Sequence, residues 1–233
     1  MNNLTREEFE HTRSGVLMDI QGKKHLLVSF GGIQQGLGIP VFEFFNSIAS
    51  IDCDKIYLRD FRQAWYQLGV DDTINDPDKL HDFLNDSIKA NNYKSVCFLG
   101  NSMGGYAAML FGMMLGIPQV IAFSPQSFID RWHRLIYFDR RWKKEIDPIH
   151  SFETNRPDYF DLRRSLRDHR NTLTKIDLYY SPRHRLDRIH AHRLRTIPNV
   201  VLHPIREGGH GVVRTVRDSG ELTGLIRSSF TNN

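Results

Sequence analysis

The sequence predicts an α/β fold: one domain with a mostly parallel sheet covered by helices on both faces. Three observations carry this expectation. Short apolar runs alternate with segments of helical periodicity, which is the pattern of parallel strands joined by crossover helices. Residues 95 to 129 hold no charged side chain, as strands buried on both faces require. The length of 233 residues fits one domain, since domains typically span roughly 100–200.

Residues 14–20 and 25–30 read as two short strands joined by the turn Gln21-Gly22-Lys23-Lys24, the second stopping at Gly31-Gly32. A helical segment is expected from Val41 to Ile48 and a strand at Lys55–Leu58. From Asp76 to Ala90, Leu80, Phe83, Leu84 and Ile88 share one helical face. Lys94–Leu99 is the next strand, followed by a glycine-rich turn, a small-residue helix at Tyr106–Leu115 and a strand at Gln119–Phe123. Residues 126–170 are rich in Arg, Asp, Trp and His without a strand pattern, and read as an inserted helical lid. Order resumes with a strand at Lys175–Tyr180, a helix near 187–196, a strand at Asn199–His203 and a helix from about Val213 to Arg227.

The charge-free run is longer than the roughly 18 residues that mark a membrane span. Pro118 and five glycines break it into strand, helix and strand, so no span is expected. Lys and Arg exceed Asp and Glu by 31 to 27, too small an excess to imply a nucleic-acid partner. The two cysteines, Cys53 and Cys97, read as buried thiols of a reducing compartment. The first residues carry Glu7 and Glu8 and no apolar core of a signal peptide, so a cytoplasmic location is expected. Oligomeric state is not legible.

Gly100-Asn101-Ser102-Met103-Gly104 fits G-x-S-x-G, a sharp strand-to-helix turn that presents a serine. The glycines have a physical reason: the turn strains the serine backbone, and a Cβ at either glycine would strike a neighbouring element. A serine hydroxyl needs a base. Of eleven histidines, His210 stands apart in the loop Glu207-Gly208-Gly209-His210-Gly211 after the last strand. For the others a structural role is the plainer reading, and His184, His190 and His192, which lie among arginines, read as solvated. A metal site from His184, Asp187, His190 and His192 is disfavoured by its spacing and by the surrounding arginines, and no cofactor is implied.

The acid that orients the imidazole is assigned to Asp187, between the strand ending at Tyr180 and the helix that follows; a helix N-cap is its structural alternative. Asp177 and Asp218 are poorer candidates. The oxyanion donors expected are the backbone N–H of Met103 and an N–H of the Gly31-Gly32 turn.

With the elbow Gly100–Gly105 and the order Ser102, Asp187, His210, residues 24 to 230 resemble the α/β-hydrolase superfamily. The resemblance implies that fold, a Ser-His-Asp triad and cleavage of an ester or thioester through an acyl-enzyme. The chain departs from it in an abbreviated front of the sheet, in Phe30-Gly31-Gly32 where lipases carry HGGG, and in an Asp187 seven residues past its strand. Arg131, Arg134, Arg140, Arg141, Lys143 and Lys144 lie among Trp132, Tyr137, Phe138 and Trp142. Arg beside aromatic rings suits anions, sugars or planar groups, so Arg140, Arg141 and Trp142 are the expected substrate-binding residues. The substrate would be a small-molecule or acyl-carrier ester, anionic if these charges line the entrance; a solvated helix face is the plainer reading of them. An inactive module binding an anionic or glycan partner through the basic aromatic segment is the alternative function.

Overall fold

The computed structural model describes residues 14–33, 43–152, 156–168 and 174–231. Residues 41–42 of the expected first helix, and the N-terminal residues read for targeting, lie outside them.

Seven strands form one sheet: β1 Val16–Asp19, β2 His25–Phe30, β3 Asp54–Leu58, β4 Ser95–Asn101, β5 Gln119–Phe123, β6 Lys175–Tyr180 and β7 Val200–Pro204. Their order is β1-β3-β2-β4-β5-β6-β7, parallel except for β1, which runs antiparallel to β3. Thus β1 and β2, adjacent in sequence, do not pair with each other. The Asp54 carboxylate accepts the N–H groups of Gln21 and Lys23 at 2.8 and 3.0 Å. It thereby holds the turn against the start of β3, and the half-exposed β1 is left as the sheet edge.

Alternation within the buried strands explains the two helical layers. Leu26, Val28 and Phe30 of β2 point into one core and Leu27 into the other; Phe98 and then Cys97 and Leu99 of β4 divide the same way. The first core is closed by α2 (Pro77–Lys89), α3 (Met103–Met114), α6 (Leu162–Asp168) and α7 (Arg185–Leu194). The second is closed by α1 (Phe45–Ile48), α8 (Val212–Asp218) and α9 (Glu221–Ser228). Helix α2 shows how local sequence sets an element: the Asp76 carboxylate caps the N–H of Lys79 at 2.7 Å, Pro77 occupies the first turn, and Leu80 and Leu84 are buried.

The single terminal helix expected from Val213 to Arg227 is two, because Gly220 turns left-handed at φ 80° between α8 and α9. Between β5 and β6 the chain is helical as expected, with α4 (Arg131–Ile136), α5 (Lys143–Ile146), two 3-10 turns and α6. Ile146, Ile149, Tyr159, Phe160 and Leu166 are buried in the first core, so these residues are built into the domain. Among the described residues no helix is long and apolar enough to cross a membrane, and Cys53 and Cys97 are buried and unpaired with each other.

Candidate active site

Ser102 stands between the end of β4 and the start of α3 with φ 53° and ψ −115°, a conformation side chains rarely adopt. The surrounding backbone holds it there. Its N–H donates to the Phe123 carbonyl at 2.8 Å, and the flanking glycines let the chain double back. A Cβ on Gly100 would lie 2.2 Å from the Gly104 carbonyl oxygen, and one on Gly104 would lie 2.1 Å from that of Phe30. His210 sits in the 3-10 turn Gly209–Gly211 after β7, entered through Gly208 at φ 83°. Asp187 lies in the first turn of α7.

These three residues come together. Ser102 Oγ is 3.1 Å from His210 Nε2, and His210 Nδ1 is 2.8 and 2.9 Å from the two Asp187 oxygens. An ionised carboxylate only accepts, so Nδ1 carries the proton donated to Asp187 and Nε2 is left to accept from the serine hydroxyl. Asp187 is 2% exposed. Burial works to raise its pKa, but the His210 bond and the charges of His210, His184 and Arg141 outweigh burial and hold it below its ordinary value. It is not the helix N-cap; His184 takes that place, its Nδ1 3.3 Å from the Asp187 N–H. Asp177 pairs with His203, Lys175 and Gln119, and Asp218 with Arg217.

Arg141 connects Asp187 to a buried polar chain. Its guanidinium donates to Asp187 at 3.2 Å and to both oxygens of Asp139. Asp139 in turn meets His190 Nε2 at 3.0 Å, and His190 Nδ1 accepts the Ser127 N–H at 3.0 Å. His190 is therefore not solvated as its arginine-rich neighbourhood suggests: it lies on the inward face of α7 and is 1% exposed. Burial lowers its pKa to about 4. Between pH 6.5 and 4 the unfolded chain takes up a proton that the folded imidazole refuses, so stability falls as pH falls. Urea denaturation of wild type should lose about 3 kcal/mol more than that of His190→Gln between pH 7.5 and 4.

The expected oxyanion donors divide. Met103 is the first residue of α3, so its N–H has no acceptor within the helix. Gly31 N–H, however, continues the sheet ladder into the Leu58 carbonyl at 2.8 Å, and Gly32 N–H donates to Glu43 Oε2 at 2.8 Å. Both glycine donors are thus engaged in this structure, through the register of β2 on β3 and through the Glu43 side chain. Glu43 also accepts from Asn101 Nδ2 at 2.9 Å. Burial pushes its pKa up, against the Gly32 and Asn101 bonds and the charges of Arg214 and Arg217. Sequence reasoning also passed over Gln126, whose side-chain amide nitrogen lies 3.2 Å from Ser102 Oγ.

A cavity of about 630 Å³ opens on Ser102 and His210, with Glu43, Asn101, Trp142, Arg214 and Arg217 among its lining. That size suits a small ligand. Of the expected substrate-binding residues, Trp142 lines this cavity. Arg140 and Arg141 are not among the lining residues: Arg140 is exposed, and Arg141 is committed to Asp139 and Asp187. Among the described residues, the cationic side chains at the cavity are Arg214 and Arg217, carried by α8. One nitrogen each of His184 and His210 and one Asp187 oxygen lie within 4.8 Å of one another, close enough to share a metal ion. The Arg141 guanidinium on the same carboxylate opposes a cation there.

No protein-family model matches the sequence, and comparison with curated proteins gives no match. Solved structures do resemble it. The capsule O-acetyltransferase of Neisseria meningitidis serogroup A superposes with a TM-score of 0.71 at 15% identity, over 91% of this chain and 90% of that one. A hydrolase from Oleispira antarctica gives 0.56 at 15% identity over 95% and 96%. MenH from S. aureus gives 0.55 at 14% over 94% and 98%. At such identities the likeness is one of fold, and that fold is the α/β-hydrolase fold.

Proposed function

We propose, from an α/β-hydrolase fold that sets Ser102, His210 and Asp187 in hydrogen-bond sequence, that this protein is a serine acyl hydrolase or acyl transferase acting on a carboxylic ester or thioester. The observation that carries the reading is the 3.1 Å contact of Ser102 Oγ with a His210 whose other nitrogen is held by Asp187. Ser102 Oγ attacks the acyl carbonyl as its proton passes to His210 Nε2, and Asp187 stabilises the imidazolium. The Met103 N–H, at the positive end of α3, faces the developing oxyanion. Collapse of the tetrahedral adduct breaks the bond to the alcohol or thiol, which leaves with the proton from His210. An incoming hydroxyl, its proton taken by the same nitrogen, then receives the acyl group and frees Ser102.

The identity of that hydroxyl separates hydrolysis from transfer. Asn101 Oδ1 and Trp142 Nε1 are buried without a hydrogen-bond partner among the described residues, and both residues line the cavity. Both atoms are closed off from the cavity, so a ligand meets the rest of these side chains: an indole beside the polar groups of Glu43, Asn101, Arg214 and Arg217, a lining suited to a polyhydroxylated acceptor. This favours transfer to a hydroxyl of such an acceptor, and O-acetyl transfer is the reaction named for the capsule O-acetyltransferase. The test is turnover of a chromogenic acetyl ester and an acetyl thioester, with and without an oligosaccharide acceptor. Wild type should consume both and Ser102→Ala neither, and the oligosaccharide should divert acetyl groups from water. Equal turnover by Ser102→Ala would contradict the reading.

A further inference from the structure

We infer that Gln126 is a further catalytic residue, its side-chain amide supplying the second donor to the oxyanion in place of the glycine turn. This rests on the acyl-transfer reading of Ser102. Gly31 and Gly32 both spend their N–H groups elsewhere, on Leu58 and Glu43, which leaves Met103 in need of a companion. Gln126 is 2% exposed, and its Nε2 is 3.2 Å from Ser102 Oγ. The orientation of the amide follows from its other end. Gln126 Oε1 lies 3.2 Å from Trp65 Nε1, and an indole nitrogen only donates. The oxygen therefore faces Trp65, and the –NH₂ faces the serine.

The loop behind this amide is held in place at some conformational cost. Gln63, Trp65 and Tyr66 all adopt positive φ, at 50°, 53° and 58°. The buried Asp60 carboxylate fixes that loop by accepting the N–H groups of Arg62, Ala64 and Tyr66 at 2.9, 2.6 and 2.9 Å. On the other side the segment carrying Gln126 is pinned by Ser124 N–H on the Tyr179 carbonyl at 2.8 Å and by Ser127 N–H on His190 Nδ1. Strain of this kind persists where surrounding structure over-determines it and tends to gather at working sites.

In the ground state the amide donates to Ser102 Oγ while the hydroxyl donates to His210. When Oγ bonds to the acyl carbon, the oxyanion forms on the atom next to that carbon, within reach of a donor already aimed at Oγ. No proton changes hands at Gln126: it stabilises charge and is left unchanged. Removing one oxyanion donor costs roughly 10²–10³ in rate.

The test is the single-turnover rate at which Ser102 is acetylated by a chromogenic acetyl ester, followed by intact mass and joined to steady-state kcat and KM. Variants Gln126→Ala and Gln126→Glu are compared with wild type after thermal melts establish that they fold. In Gln126→Glu one carboxylate oxygen still accepts from Trp65, while the other turns an acceptor toward Ser102 where the amide had offered a donor. Both variants should acetylate about 10²–10³-fold more slowly, with kcat falling and KM nearly constant. A residue that only shapes the pocket would shift KM, or would tolerate the isosteric glutamate. Wild-type rates in folded Gln126→Ala, or a loss confined to KM, overturn the inference. A wild type that never acetylates at Ser102 overturns the acyl-transfer reading as well.

Discussion

His210→Ala should lower kcat toward an activated ester by about 10⁴–10⁶-fold, the usual loss when the base of such a set is removed. The size of the effect follows from geometry: among the described residues, His210 is the base whose nitrogen meets Ser102 Oγ, and no second histidine is bonded to that oxygen. His184 lies near, its ring centroid 5.5 Å from that of His210, but its Nδ1 is turned to Asp187. Substrate binding should survive, because the cavity is otherwise intact. Stopped-flow and steady-state assays on the folded variant check this, and turnover within tenfold of wild type would assign proton transfer to another group.

Asp187→Asn should cost on the order of 10³–10⁴ in kcat. An asparagine amide can present –NH₂ to His210 Nδ1 and so favour the tautomer with its proton on Nε2, where it cannot accept from Ser102. It also removes the buried negative charge that stabilises an imidazolium. Arg141, which binds Asp187 at 3.2 Å, keeps its paired contacts with Asp139, so the fold should persist. Asp177→Asn and Asp218→Asn serve as controls, since their partners are His203, Lys175 and Arg217. A kcat in Asp187→Asn equal to that of these controls would contradict the role given to Asp187.

What could be read from sequence, and what could not, divides by the range of the interactions involved. Strands β4 and β5 with α3 between them were legible because burial on both faces leaves an uncharged run, and Gly100 and Gly104 because the elbow needs them locally. The convergence of Ser102, Asp187 and His210 follows from chain order on a parallel sheet, whose strands deliver their loops to one edge. Sheet order at the front was not legible: β1 and β2 lie a turn apart, yet β3 enters between them because Asp54 anchors that turn. The burial of His190 was hidden too, since its partners Asp139 and Ser127 are 51 and 63 residues away. For the same reason the arginines that line the cavity proved to be Arg214 and Arg217 on α8, where the sequence pointed to the basic run before Lys144. Gly32 illustrates the limit well. Its glycine identity is required by the Asn101 carbonyl, 2.9 Å from where a Cβ would lie, but its N–H serves Glu43, a choice that composition and spacing do not encode.

A Ser102 activated by His210 should react covalently with an electrophile that mimics an acyl donor. Folded wild-type protein treated with a fluorophosphonate should gain one adduct by intact mass, mapped by peptide sequencing to Ser102, with labelling abolished in Ser102→Ala and strongly slowed in His210→Ala. An adduct that maps to another residue would exclude Ser102 as the nucleophile, and wild-type protein that stays unlabelled while folded would favour a module that binds without catalysis.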